Sequence, residues 1–328
     1  MTGSSTRRRA LAVIAAGLIG LLAAGCGNGG GGASGGGAQV LKVASQRGAT
    51  RAVVEASGAL QGAPYKVEWS EFAAASPLLE ALCAGAVDVG GVGDAPFVFA
   101  YAAGAPIKAV AAFQSGANGS ATAVVVPKGS TIRTPADLKG RKVATIKGSI
   151  GHYLLLRLLQ KAGVPENQVQ AVFLEPGASR AALSSGSVDA WATWSPYIGM
   201  VTLSGEGRIL ADANGLLTGV GFFAASDKAI ARKAPLIDDF LKRVATANQW
   251  AHAHPEDYAK ALAKDTGLPL DVARDAAKRY GGQRVPLDPA LIRQEDETLE
   301  SFRRAGVIQN PPKIDQAFST RFQPAAGG

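Results

Sequence analysis

Apolar and polar positions change in short runs over the first half of the chain. Residues 40–44 read as a strand, 49–57 as a helix, 65–69 as a strand, 78–84 as a helix and 87–92 as a short buried strand. Strands and helices taking turns predict an α/β fold with largely parallel sheets. Beyond residue 220 the period lengthens. Residues 235–252, 256–265, 270–280 and 289–305 predict four successive helices that cover or brace one lobe.

The chain also repeats itself. Lys42-Val43-Ala44-Ser45-Gln46-Arg47-Gly48 matches Lys142-Val143-Ala144-Thr145-Ile146-Lys147-Gly148 at a shift of 100 residues. Leu82-Cys83-Ala84-Gly85-Ala86-Val87-Asp88 matches Leu183-Ser184-Ser185-Gly186-Ser187-Val188-Asp189 at a shift of 101. Two matches at nearly one shift predict two similar α/β lobes. The turns fit this plan. Ser149, after Lys147-Gly148, is placed to cap a helix over 150–162. Asp94 reads as the N-cap of a helix with Pro96 in its first turn, and Thr134-Pro135-Ala136-Asp137 starts another by the same rule.

The N-terminus has its own pattern. Arg7-Arg8-Arg9 precede fifteen apolar or small residues, 10–24, a positive region followed by an apolar one as in a secretory signal. Fifteen residues fall short of the ~20 needed to cross a bilayer as a helix. The run ends in Leu22-Ala23-Ala24-Gly25-Cys26, which resembles a bacterial lipobox with Cys26 as the lipidated residue. Eight glycines among the twelve residues 27–38 make a flexible tether behind it. The expectation is a folded body outside the cytoplasm, held at the membrane face. Cys83 is the one other cysteine. It leaves no disulfide if Cys26 is acylated, and in its apolar helical stretch it reads as a buried, inert thiol.

The composition narrows the class. Of 328 residues, 47% are hydrophobic and 18% charged, which excludes global disorder and suits two domains. The net charge is +8, and Arg7, Arg8 and Arg9 account for three of those charges. The remaining excess is spread out, with no basic run interleaved with aromatics, so nucleic acid is not an expected partner. A mild positive field favours a small anion or an anionic membrane surface. His152, His252 and His254 have no metal-ligand spacing and no cysteine beside them, so no metal is expected. The nucleophile elbow, the phosphate loop and the dinucleotide fingerprint are missing, so neither a cofactor nor an enzyme is expected.

Two such lobes put strand ends and helix N-termini around one cleft, where free N–H groups favour an anion. The helix starts at Ser149 and at Gly177-Ala178 are the expected cradle. Asp94 has two readings, a cap alone or a lip residue touching a polar or cationic end. His152 likewise donates to the anion or packs within its helix. Trp194 is a candidate wall for an alkyl or aromatic portion, and Trp191 a core residue. Gln46, at the equivalent turn of the first repeat, is a candidate donor from the opposite lobe.

With these residues in view the chain resembles the solute-binding proteins of bacterial ABC importers in the sulfonate/taurine/nitrate family, above all those for aliphatic sulfonates. The stretches that carry the likeness include Glu68-Trp69-Ser70-Glu71-Phe72, Gly93-Asp94-Ala95-Pro96, Lys147-Gly148-Ser149, His152-Tyr153-Leu154-Leu155-Leu156-Arg157, Gly186-Ser187-Val188-Asp189-Ala190-Trp191 and Trp194-Ser195-Pro196-Tyr197. The resemblance implies a type II periplasmic-binding-protein fold, with lobe I in 39–115 and 221–328 and lobe II in 116–220. The signal would occupy 1–25 and the lipidated tether 26–38. Crossovers are expected near 113–118 and 217–223. It also implies a monomer that closes on a small anion and delivers it to a permease and ATPase. The expected ligand-binding set is Gln46, Asp94, Ala95, Ser149, Ile150, Gly151, His152, Gly177, Trp194 and Ser195. Two residues depart from the family pattern. Ser195 stands where a carboxylate is common, which disfavours an ammonium-bearing solute such as taurine. Ile150 stands where smaller residues are common, which makes the pocket floor narrower or more apolar. Nitrate, taurine, an aromatic acid and a thiamine pyrimidine precursor are the alternative solutes, and a thiamine-pyrimidine synthase-like enzyme is the alternative activity.

Overall fold

Each lobe has a strand whose backbone is clasped at a lysine by an aspartate from the same repeat. In a computed structural model describing residues 39–47, 49–117 and 119–323, β1 spans Gln39–Gln46 and β6 spans Lys142–Thr145. The Asp88 carboxylate accepts from Lys42 N at 2.7 Å, and Asp88 N donates to Lys42 O at 2.8 Å. Asp189 makes the same two bonds with Lys142, both at 2.8 Å. The two sequence matches therefore mark one structural device used twice. The export signal, Cys26 and the Gly-rich tether lie outside the described residues.

In the first sheet β1 runs parallel to β2 (Tyr65–Phe72) and β3 (Val89–Gly93). β10 (Val220–Ser226) joins β3 antiparallel, and β4 (Ile107–Ser115) and β11 (Gly282–Val285) complete the order β11-β4-β10-β3-β1-β2. In the second sheet β6 runs parallel to β7 (Gln170–Phe173) and β8 (Ala190–Trp194). β5 (Thr122–Pro127) lies antiparallel between β8 and β9 (Gly207–Asp212), giving β7-β6-β8-β5-β9. The sheets are thus mixed, not largely parallel. The chain enters and leaves the second sheet by two crossings, and the strands beside those crossings oppose their neighbours. Phe113, Phe222 and Phe223, expected near the crossovers, stay paired inside β4 and β10. At the crossings Gly119, at φ 87°, lies so close to Ala213 O that a Cβ would sit 2.5 Å from it.

Helices connect the strands: α1 (Ala49–Ala56), α2 (Ala75–Cys83), α3 (Asp94–Ala102), α4 (Ile150–Lys161), α5 (Pro176–Ser184) and α6 (Tyr197–Thr202). The last third adds α7 (Asp227–Ala253), α8 (Pro255–Thr266), α9 (Leu270–Arg279) and α10 (Pro289–Arg304). α7 begins earlier than expected and is broken at Lys233, two residues before Pro235, where φ is −129° and ψ 21°. Ile237, Phe240, Leu241 and Val244 of α7 are buried against the first sheet with Val43, Val110 and Phe223. Phe302 of α10 meets Phe99 of α3 at 5.6 Å and Tyr153 of α4 at 5.9 Å between ring centroids. One C-terminal helix therefore touches both lobes.

Two local expectations need correction. Cys83 is exposed, because Leu78, Leu79 and Leu82 take the buried face and α2 ends at Cys83, ahead of exposed residues 84–86. Asp94 is the first residue of α3, while Gly93 holds the N-cap position, and the Asp94 side chain accepts from Ala95 N at 2.6 Å.

Candidate functional site

Four helix N-termini converge on one cavity of about 280 Å³ between the sheets. Ala49 and Thr50 open α1, Ala75 and Ser76 open α2, Asp94 and Pro96 open α3, and Ser149 and Ile150 bring in α4. Each end carries N–H groups without a partner in their own helix and a positive partial charge, worth about 0.3–1 kcal/mol toward an anion, or up to ~2 when partly buried. The two repeats explain the convergence. A parallel strand followed by a helix delivers the helix start at the strand's C-terminal edge, and the two sheets turn those edges toward each other.

Side chains add donors. The Ser149 hydroxyl caps α4 by accepting from His152 N at 3.1 Å, and its own proton has Thr145 Oγ1, at 3.4 Å and itself bonded to Ala192 O, as the alternative to a solute. Trp194 Nε1 and Ser195 Oγ are buried, line the cavity and have no hydrogen-bond partner among the described residues. A buried N–H or O–H without a partner costs roughly 1–3 kcal/mol, so one of each on neighbouring lining residues marks a place where something polar completes them. Phe113, Phe222 and Phe223 supply an apolar wall.

A protein of Escherichia coli (strain K12), provisionally named for binding aliphatic sulfonates, is 35% identical over 281 residues, covering 84% of this chain and 87% of its own. The profile of the family described as NMT1/THI5 like matches residues 65–258. The chain belongs to the NMT1/THI5-like family. Within it, this is an extracytoplasmic solute-binding protein with the type II periplasmic-binding-protein fold. The alkanesulfonate-binding protein SsuA from Xanthomonas axonopodis pv. citri, solved bound to MOPS, is similar with TM-score 0.79 and 33% identity over 86% of this chain and 99% of that one. The periplasmic aliphatic sulphonate binding protein SsuA from Escherichia coli gives 0.77 and 31%, over 88% of this chain and 94% of its own. These three relatives are named as binding proteins, not as enzymes.

This family member brings Gln46, Asp94, Ser149, Ile150, Trp194 and Ser195 to the cavity, six of the ten expected site residues. The other four lie elsewhere. Ala95 is fully buried in the apolar core. Gly151 packs α4 onto β8, where a Cβ would sit 2.4 Å from Ala192 O. Gly177 is exposed, so the start of α5 is not part of the cradle. His152 faces a second cavity on the far side of α4. Its Nδ1 accepts from Gly148 N at 3.1 Å, and its ring stands edge-on to Phe173. Burial, aided by the charge of Lys147, pushes its pKa down to about 4, so the ring is neutral.

Asn248, Tyr258, Arg279 and Tyr280 of the helical third also line the cavity, unforeseen from the sequence. No local pattern marks them, because they arrive from the far end of the chain. The starts of α1 and α2 did carry a signal. Ser76-Pro77 is a helix-opening pair, and Ala49-Thr50 follows the repeated basic turn. Tyr280 Oη donates to Ser195 O, and Tyr197 Oη donates to Ala73 O at 2.9 Å, so two hydrogen bonds cross between the lobes. Among the described residues no three His, Cys, Asp or Glu are grouped to hold a metal ion, and no helix is long and apolar enough to cross a membrane.

Proposed function

We propose that this protein binds an aliphatic sulfonate or a similar small organic anion in the cleft and passes it to the permease and ATPase of an ABC importer. The observation that carries the reading is the donor-rich cavity, with four helix starts and the unpartnered Trp194 Nε1 and Ser195 Oγ beside an aromatic wall. A sulfonate has no proton to donate and needs donors only, and its alkyl tail suits Phe113, Phe222 and Trp194. The names of the similar binding proteins support the same class. The expected ligand contacts are Gln46, Ser149, Ile150, Trp194 and Ser195, with Asp94 buried in the lining at the start of α3. Diacylation of Cys26, supported by the lipobox-like stretch, would hold the body at the outer face of the membrane.

Taurine is the second reading. Asp94 offers a carboxyl to an ammonium group, and a taurine-binding periplasmic protein of Escherichia coli (strain K12) is 30% identical over 241 residues. Calorimetry with methanesulfonate, hexanesulfonate and taurine tests both. Hexanesulfonate is expected to bind best, at the micromolar level or tighter, roughly −8 kcal/mol. Taurine binding best would establish the second reading, and no binding by any of the three would overturn both.

A further inference from the structure

Asp94 and Glu295 are two buried carboxyls that no cation neutralises. Asp94 is 3% exposed and lines the cleft from the start of α3, while Glu295 is 1% exposed on α10. α3 and α10 pack together through Phe99 and Phe302. Neither carboxyl forms an ion pair among the described residues. One oxygen of Asp94 accepts from Ala95 N, and Glu295 Oε2 has no partner. Two carboxylates close enough to sense each other's charge in an apolar setting do not both ionise. Burial pushes Asp94 up to about 7, partly offset by the Ala95 N–H. Burial first, and the charge of Asp94 second, hold Glu295 well above the usual carboxylate range.

The groups around the pair leave it the main acid–base centre beneath the cleft. From α4, Tyr153 senses Asp94 and is bonded to Arg157 at 2.8 Å, and His152 is neutral. β3 and β10 carry no titratable side chain, and Lys108 of β4 is turned to Gln316 O. Asp315 and Asp227 act on Tyr101 at the far end of α3, and Glu80 and Cys83 of α2 are exposed. On α10 itself Arg293, Asp296, Glu297, Arg303 and Arg304 are exposed, and Glu300 is paired with Arg303.

We infer that solute binding is proton-coupled, the Asp94–Glu295 pair taking up a proton from solvent as an anion enters the cleft. The inference rests on the anion reading above. A sulfonate stays ionised throughout and carries no proton of its own, so any proton gained is gained by the protein. The incoming negative charge lies beside Asp94 and raises the proton affinity of the pair. Linkage is reciprocal, so protonating the pair raises anion affinity by the same factor. Affinity is therefore highest below neutral pH and falls as pH rises through 7, by at most about tenfold per pH unit for one linked proton.

The test is calorimetry of hexanesulfonate binding to the whole mature chain in bis-tris, imidazole and Tris, which are not sulfonates and differ in ionisation enthalpy. The expected result is an apparent enthalpy that varies with buffer, reporting uptake of up to one proton near pH 7, and an affinity that falls from pH 6 to pH 8. Asp94→Asn should abolish both the buffer dependence and the pH slope. Glu295→Gln should leave the slope near pH 7, because Glu295 is already protonated and neutral when Asp94 titrates. Tight binding with a buffer-independent enthalpy and a flat affinity across this range overturns the inference and leaves the anion reading standing. Failure of hexanesulfonate, methanesulfonate and inorganic sulfate to bind at any of these pH values overturns both.

Discussion

The Asp88 carboxylate closes on the backbone of Lys42 at 2.7 Å, tying the segment between α2 and β3 to the middle of β1. It also receives Lys233 Nζ at 2.7 Å, and its side chain is only 13% exposed. Its counterpart Asp189, 36% exposed, meets Arg141 at a looser 3.6 Å. Asp88→Ala should therefore destabilise the protein by about 1.5–3 kcal/mol, the usual loss for hydrogen bonds to a charged group. Asp189→Ala should cost less, about 1 kcal/mol, since solvent partly replaces its bonds. Urea unfolding of both variants decides the order.

Ser149 has two roles that substitution can separate. Ser149→Ala removes the cap on α4 and should cost about 0.5–2 kcal/mol of stability, while Ser149→Gly should cost a few tenths. Both lose the hydroxyl donor, so both should weaken hexanesulfonate binding about ten- to a hundredfold. Thermal melts read the first effect and calorimetry the second. Unchanged affinity in the glycine variant would confine Ser149 to capping.

Trp194→Phe and Ser195→Ala remove polar groups that have no partner among the described residues. Stability without solute should stay within about 0.5 kcal/mol for Ser195→Ala, since no bond within the protein is lost. Hexanesulfonate affinity should fall in both variants, by about tenfold or more. A stability loss of several kcal/mol with intact affinity would give these groups a structural role instead.

His152 predicts a pH dependence of stability. Its folded pKa is lowered from 6.5 to about 4, so between these values the unfolded chain holds a proton that the folded chain does not. Stability is then fully present above pH 6.5 and falls as pH drops toward 4, by roughly 3 kcal/mol in all from this group. His152→Asn keeps an acceptor for Gly148 N–H and should flatten that part of the curve. Melting temperatures from pH 4 to 8, with NMR titration of the ring, check the sign.

Cys26→Ser should release the protein from the membrane of producing cells. One acyl chain alone anchors weakly and two or more hold stably, so the wild type should sediment with membranes and carry the mass of diacylglycerol. Wild-type protein found wholly in the medium without lipid mass would refute the anchor.

Part of the site was legible because it rests on short-range chemistry. Ser149 follows a Lys-Gly turn and faces the orphan N–H groups of the helix it opens, a relation contained within four residues. Trp194 and Ser195 were legible as the end of a repeated strand, which an α/β sheet delivers to its ligand edge. His152 was misleading for the same reason. Three residues past Ser149 it lies within the first turn of α4, yet the helix directs its ring to Phe173 and the second cavity, and only the packing of α10 made that side a burial site.

Local sequence thus determined the alternation of strand and helix, the doubled lobe and the turns that open its helices, because each depends on residues a few positions apart. It did not determine which helix starts would share a cavity. α5 was equivalent by pattern, yet Gly177 ended in solvent while the starts of α1 and α2 joined the cradle. It also could not bring Asp94 within electrostatic reach of Glu295, or Tyr280 against Ser195, which stand 201 and 85 residues apart in the chain. Those contacts arise only when the helical third folds back over both lobes. There apolar burial of Phe302, Phe240 and their neighbours selects the arrangement, and the polar groups it carries along are set against partners that no local spacing encodes.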